Sequence, residues 1–257
     1  MLSKILSVLF LLGLIGNVLA INSLGVVRDT SMGNKVKAFS SKCTVKTKPE
    51  DAEFLLMIKT AWQEMNSSFT GNEKRRRNEI PFAMIGLSID DELYFSSSVK
   101  AGSNEIVYQT STIKGGTGEL KKLPSRYAEV TEALTNCTRD NPGKGTQHGN
   151  SAACGEIMST ILWMHDHEGK IPRAYKPKVA AWSPYGYLPP CSSKEGDITW
   201  GCHQWTAKMG YTVVGNLTLP NQFTQPEKCE SLSLNTCLKI DEESENGKGK
   251  VKGKGKQ

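Results

Sequence analysis

From Pro49 onward, apolar residues recur every three or four positions. Phe54, Ile58, Ala61 and Met65 fall on one face, with Leu55 and Trp62 beside them, which predicts an amphipathic helix. Glu50, Asp51 and Glu53 supply the acids suited to its first turn. The period then changes. Residues 82–89 and 93–99 are short β-prone runs around Asp90-Asp91-Glu92, the pattern of a hairpin with a tight turn. Residues 105–110 read as another strand, and 113–124, with Gly115, Gly116 and Gly118, as a loop. Ser125 is placed to cap a helix carrying Tyr127, Val130, Leu134 and Cys137 on its apolar side. A Gly-, Asn- and Pro-rich loop over 139–150 leads to a helix that carries Cys154 and Glu156 and runs to about Met164. A short strand at 179–182, a Tyr/Gly/Pro loop to Cys191, a helix over 202–209 and a strand over 211–215 complete the pattern. Strands alternating with helices predict an α/β fold, a sheet with helices on its faces.

The two ends of the chain read differently. Lys4, the apolar run 5–15 and Val18-Leu19-Ala20 form a signal peptide over 1–20. The run is too short for a bilayer span, which takes roughly 20 residues, so the expectation is a secreted protein with no membrane contact after cleavage. Residues 21–48 show no period and read as an N-terminal arm, pinned at Cys43. Residues 49–240 are expected to form one domain, and 241–257 a disordered charged Gly/Lys tail. A net charge of +6 is compatible with a polyanionic partner such as nucleic acid without demanding one.

Secretion changes how other residues read. Asn66, Asn136 and Asn216 each head a glycosylation sequon. Seven cysteines, at 43, 137, 154, 191, 202, 229 and 237, are an odd number for a secreted chain. Three metal ligands would leave Cys43, Cys137, Cys229 and Cys237 for two disulfides; three disulfides and one free thiol is the other solution. If 229–237 were one helix, its two cysteines would lie about 12 Å apart and pair with Cys43 and Cys137; in a hairpin or loop they could bond each other.

The chemistry concentrates in Cys154-Gly155-Glu156, Pro190-Cys191 and Cys202. Three thiolates can hold zinc and leave a fourth position for water, while a carboxylate that is not a ligand moves protons. Replacing an amine on an aromatic ring needs both: zinc lowers the pKa of bound water to about 7, and one carboxylate serves the ring nitrogen and the leaving amine in turn. Residues two apart on a helix point in different directions, so Cys154 can face the metal while Glu156 faces a substrate. Helix starts near Cys154 and Cys202 favour the thiolate form.

In motif order over roughly residues 51–215, the chain resembles the cytidine deaminase-like superfamily. The family pattern is a helix, a hairpin, a helix opening with His/Cys-x-Glu, a strand, Pro-Cys-x-x-Cys opening a helix, and a strand. The resemblance implies a three-layer α/β/α sandwich with a mixed central sheet. It makes Cys154, Cys191 and Cys202 the zinc ligands and Glu156 the proton shuttle. It also implies that a backbone amide around Gly155 and the carbonyl of Pro189 hold a nucleobase, free, in a nucleotide or in nucleic acid. Two departures stand out. Ten residues separate Cys191 from Cys202, where the family has two to four. The Asn-x-Glu that holds ribose in free-nucleoside enzymes is replaced by Ser98-Val99-Lys100, with Asn104 and Glu105 a little later.

Other side chains are secondary candidates. His203 could line the pocket or replace a ligand, and His148 is similarly placed with less support. His165 and His167 fit a helix end, where the dipole favours histidine. Trp182, Tyr185, Tyr187, Trp200 and Trp205 cluster around the proposed site, where one of them, Trp182 among the candidates, could stack on a base. The expectation is a secreted zinc-dependent nucleobase deaminase. Its rival is a disulfide-stabilised secreted glycoprotein that binds without catalysis.

Overall fold

The run Met84–Ile89 is buried at every position and forms β3, in the middle of the sheet. In this computed structural model, which describes residues 23–30, 37–75, 80–99, 107–109, 119–120, 123–142, 148, 151–194, 196–197 and 199–238, β3 is paired on both edges. The expected signal peptide at 1–20, the tail at 241–257 and Asn104 lie outside the described residues. A turn at Asp90, a residue type that tolerates its left-handed φ of 51°, returns the chain into β4 (Glu92–Ser97). On its other edge β3 meets β7 (Lys178–Ser183), so that Ile85 lies between Ser96 and Ala181.

The remaining strands are β1 (Val27–Arg28), β2 (Phe39–Thr44), β5 (Tyr108–Gln109), β6 (Glu119–Leu120), β8 (Gly186–Tyr187), β9 (Thr212–Val213) and β10 (Lys228–Glu230). The main sheet runs β1-β2-β4-β3-β7-β8 with antiparallel neighbours, while β10 pairs with β2 and β9 adds to β7 in parallel. β5 and β6 form a separate pair. The helices are α1 (Asp51–Ser67), α2 (Gly71–Arg75), α3 (Ala128–Asp140, after a 3-10 turn at Ser125–Tyr127), α4 (Gly155–Asp166), α5 (Cys202–Lys208) and α6 (Leu234–Leu238). Among the described residues no helix is long and apolar enough to cross a membrane.

Strand alternation sorts the core into two clusters. Met84, Leu93, Phe95 and Ala180 pack with Phe54, Ile58 and Ala61 of α1. Ile85, Leu87, Val179 and Ala181 pack with Val130 and Leu134 of α3 and Ile157 and Ile161 of α4. Each such large apolar side chain contributes about 1.5–3 kcal/mol by leaving water. Residues 155–164 of α4 are all buried, as expected of a helix enclosed between the sheet, α3 and α6. The molecule is therefore a mixed α/β fold with an antiparallel sheet and helices.

The described residues of 21–48 include strands: β2 pairs with β4 over five residues and carries the edge on which β1 and β10 sit. Its sequence, FSSKCT, buries Ser40 and Ser41 in place of the bulky residues that usually mark a strand. The four remaining cysteines do not form two disulfides. Cys43 and Cys229, register partners on β2 and β10, are joined, whereas Cys137 and Cys237 are buried free thiols. Tyr127 donates to the carbonyl of Cys237 at 2.7 Å, beside the start of α3. Cys137 lies ten residues further along from Tyr127, about 15 Å at the helical rise.

Candidate metal centre

Four side chains converge beside the start of α4. His148, Cys154, Cys191 and Cys202 each place one ligand atom so that all lie within 4.8 Å of one another, and together they could hold a metal ion. The Cys154 and Cys191 sulfurs are 4.0 Å apart, His148 Nε2 is 3.8 Å from Cys191 Sγ, and it is 3.3 Å from Cys202 Sγ. A tetrahedron with metal–sulfur bonds of about 2.3 Å and metal–nitrogen bonds of about 2.0 Å places its corners about 3.5–3.8 Å apart. The observed edges bracket that spacing.

Local backbone explains how distant residues reach this point. His148 accepts from the amide of Ser151 at 2.8 Å, closing a turn. Ser151 and Ala152 then adopt φ of 50° and 53°, an uncommon pair of left-handed non-glycine residues. Ala153 accepts from the amide of Val99 at 3.0 Å, which ties this segment to the end of the hairpin. Cys154 follows as the N-cap of α4.

The ten-residue excursion after Cys191 is stitched shut at its base. Gln204 Nε2 donates to the Ser192 carbonyl at 3.2 Å, and its Oε1 accepts from the Gly201 amide at 2.8 Å. The His203 amide donates to the Cys191 carbonyl at 3.0 Å, and the Cys202 amide to Cys191 Sγ at 3.1 Å. Gly201 makes the closure feasible: a Cβ there would lie 2.7 Å from Cys191 Sγ and 2.8 Å from the Cys191 carbonyl oxygen. The loop thus brings Cys191 and Cys202 together despite their spacing.

Charge is unequally shared. Hydrogen bonds from Cys154 and Cys202, with help from His148, push the Cys191 thiol far down. Cys154 is pushed up, first by its hydrogen bond to Cys191 and also by burial, while burial leads the upward shift at Cys202. Burial, reinforced by Cys191, pushes the Glu156 carboxyl up to about 7. Only 6 % of Glu156 is exposed.

A cavity of about 420 Å³ opens onto this cluster. Cys154, Gly155, Glu156, Pro189 and Cys191 line it, with Phe82, Ser98 and Leu188 among its other walls. The structure therefore brings together Cys154, Gly155, Glu156, Pro189, Cys191 and Cys202. Trp182 does not join them. It follows Ala180 on the α1 side of β7, where Lys59 sits over its ring at 5.7 Å. Period-2 alternation with Ala181 already carries that information.

The aromatic and histidine candidates divide similarly. Tyr187 packs with Trp182, and Trp205 is buried edge-on to Tyr211. Trp200 is buried edge-on to His148 with ring centres 5.2 Å apart. His203 is exposed and faces a surface groove with Cys137 and Asp140. His165 contacts the Tyr127 hydroxyl at 3.2 Å, while His167 stacks on Trp163 at 4.3 Å and meets Glu92 at 3.2 Å. The ligand underweighted by sequence is His148, whose one local signal is its position six residues before Cys154. Asn216 is exposed, and Asn66 and Asn136 are half-buried at helix surfaces.

Comparison with protein-family models, curated proteins and solved structures finds no match for this chain.

Proposed function

We propose that this protein is a secreted zinc-dependent hydrolytic deaminase of a nucleobase, a divergent member of the cytidine deaminase-like superfamily. One observation carries the proposal: the buried carboxyl of Glu156 and two thiols of a metal-competent cluster line the same cavity. Core clusters on alternate faces of the sheet support the three-layer α/β/α arrangement. Three thiols and an imidazole are a donor set that suits zinc. With the three thiols as ligands and His148 standing off the metal, a zinc ion there would keep one position for water and supply the Lewis acidity that makes it nucleophilic near neutral pH.

The chain's own groups supply the rest. Glu156, with its carboxyl held near neutrality, is suited both to accept a proton and to deliver it to the ring nitrogen and the departing amine. Gly155 and Pro189 line the cavity beside it, so the amide of one and the carbonyl of the other are the backbone groups nearest to hand for a base.

A second reading has its own support. With His148 counted, four protein donors surround the metal position, the closed arrangement of a structural zinc site. In that case the fold and the zinc are kept as structure only, without catalysis.

The test is elemental mass spectrometry on the full chain secreted by a eukaryotic host, followed by ammonia release from nucleosides and oligonucleotides. One zinc per chain, lost in Cys154→Ser, with turnover abolished in Glu156→Ala, is the expected result. Zinc without turnover would leave the structural reading. No zinc, with Cys154, Cys191 and Cys202 in disulfides, would end the deaminase reading and leave a disulfide-stabilised secreted glycoprotein that binds without catalysis.

A further inference from the structure

The cavity mouth carries a feature that deamination of a single base does not use. Among the described residues five large hydrophobic side chains are exposed: Val27, Phe82, Ile171, Tyr185 and Leu217. Phe82 and Tyr185 are neighbours, with ring centres 6.1 Å apart and planes at 51°. Phe82 forms part of the cavity wall and is 41 % exposed, while Tyr185 is 88 % exposed.

Both rings stand on fixed backbone. Ser98 Oγ, at the cavity wall, accepts from the amides of Phe82 and Ala83 at 3.1 and 3.4 Å. Tyr185 sits at the tip of the β7–β8 hairpin. There Ser183 Oγ accepts from the Tyr185 amide at 3.2 Å and donates to the Gly186 carbonyl at 3.0 Å. Gly186, at φ 107°, adopts a backbone conformation that excludes other residue types. The hairpin therefore spends ordered backbone on holding an aromatic ring in solvent beside the entrance.

The cavity lining adds a constraint. Apart from Glu156 and the two thiols it is uncharged, and no Lys, Arg or His lines it among the described residues. Among the described residues the lining offers a phosphate no cationic side chain. The part of a ligand that enters must be a neutral, partly apolar ring, with any phosphodiester left outside.

We infer that Phe82 and Tyr185 form a stacking step for the base next to the one in the cavity, so that the ligand is single-stranded nucleic acid. This rests on the proposed function, because the cavity is taken as the seat of the reacting base. Stacking on exposed aromatic rings is a sequence-tolerant way to hold single strands, and a chain of net charge +6 suits a polyanion. A duplex would not satisfy the step, since its neighbouring base is already stacked.

The test is binding of a fluorescent single-stranded oligonucleotide of mixed sequence to the metal-loaded full chain at fixed salt, read by anisotropy. Competitors are the corresponding duplex and the free nucleosides. Tyr185→Ala is expected to weaken strand binding by about 5- to 150-fold, the range for loss of one stacked base, and Tyr185→Phe to retain it. The duplex and the nucleosides should compete poorly. The inference is overturned if Tyr185→Ala and Phe82→Ala both bind as tightly as the parent, or if nucleosides compete as well as strands. Mass analysis of the bases after incubation separates this result from the fate of the deaminase proposal. Strand binding that needs Tyr185, with no amine replaced by oxygen, keeps the step and removes the reaction. Deamination within single strands that is indifferent to both Tyr185 and Phe82 keeps the reaction and removes the step.

Discussion

Replacing Gly155 by alanine sets two effects against each other. Gly155 is the first residue of α4, and intrinsic helix propensity alone would favour alanine by about 1 kcal/mol. The structure opposes this. A Cβ at Gly155 would overlap the Ser96 carbonyl oxygen and Ile85 Cδ1, and would stand 2.9 Å from Ile85 Cβ. The Ser96 backbone cannot retreat easily, because β4 pairs there with Ser40 on one side and Ile85 on the other. Overpacking of this kind costs about 1–3 kcal/mol, and more when the obstacle is backbone. The larger effect is steric, so Gly155→Ala should lose about 2 kcal/mol net of the propensity gain. For a domain of this size that is a fall of about 4–8 °C in Tm. Thermal and urea unfolding of both proteins, each carrying the same metal load, measure it. A Gly155→Ala protein as stable as the parent, or more so, would refute the close approach of α4 to the sheet, and with it the placement of Cys154.

Three further predictions follow from other contacts. Cys43 and Cys229 close a loop with a sequence separation of 186, so replacing both by serine should cost about 5 kcal/mol in urea unfolding. Unfolded, metal-stripped parent protein should titrate five thiols, at 137, 154, 191, 202 and 237, and a count of three would restore a second disulfide. Lys42 lies 2.6 Å from Glu92 and 3.1 Å from Asp166. Burial works against its charge, but its hydrogen bonds and charge interactions with the two carboxylates outweigh that and raise its pKa. A raised lysine stabilises fully below its unfolded pKa, roughly 10.4, and loses that contribution as pH rises through the folded value. The stability gap between parent and Lys42→Met should therefore hold at neutral pH and narrow in the alkaline limb; a constant gap would contradict the ion pairs.

Legibility from sequence followed locality. The helix through Phe54 and Ile58 and the hairpin around Asp90 announce themselves by period, and Cys154 and Glu156 share a helix start, so their joint placement needed no long-range information. β2 was hidden because small serines fill its buried positions. The contact of Cys191 with Cys202 depends on a loop closed by Gln204 and Gly201, which spacing alone cannot show. His148 reaches the cluster through the left-handed turn at Ser151 and Ala152, a conformation those residue types do not advertise. Parity leaves the pairing of Cys43, Cys137, Cys229 and Cys237 open, and only the register of β10 on β2 joins Cys43 to Cys229.

The place of β10 beside β2 has a consequence for synthesis. β2 is made early, yet the strand that pairs with Lys42, Cys43 and Thr44 on its outer edge arrives 186 residues later. At 5–20 residues per second that edge, and the Cys43 thiol on it, wait on the order of 10–40 seconds. Cys137, Cys154, Cys191 and Cys202 all emerge before Cys229 does. The nascent chain must therefore hold an open strand edge and an early thiol past four wrong partners, three of which, Cys137, Cys154 and Cys202, end buried in the fold.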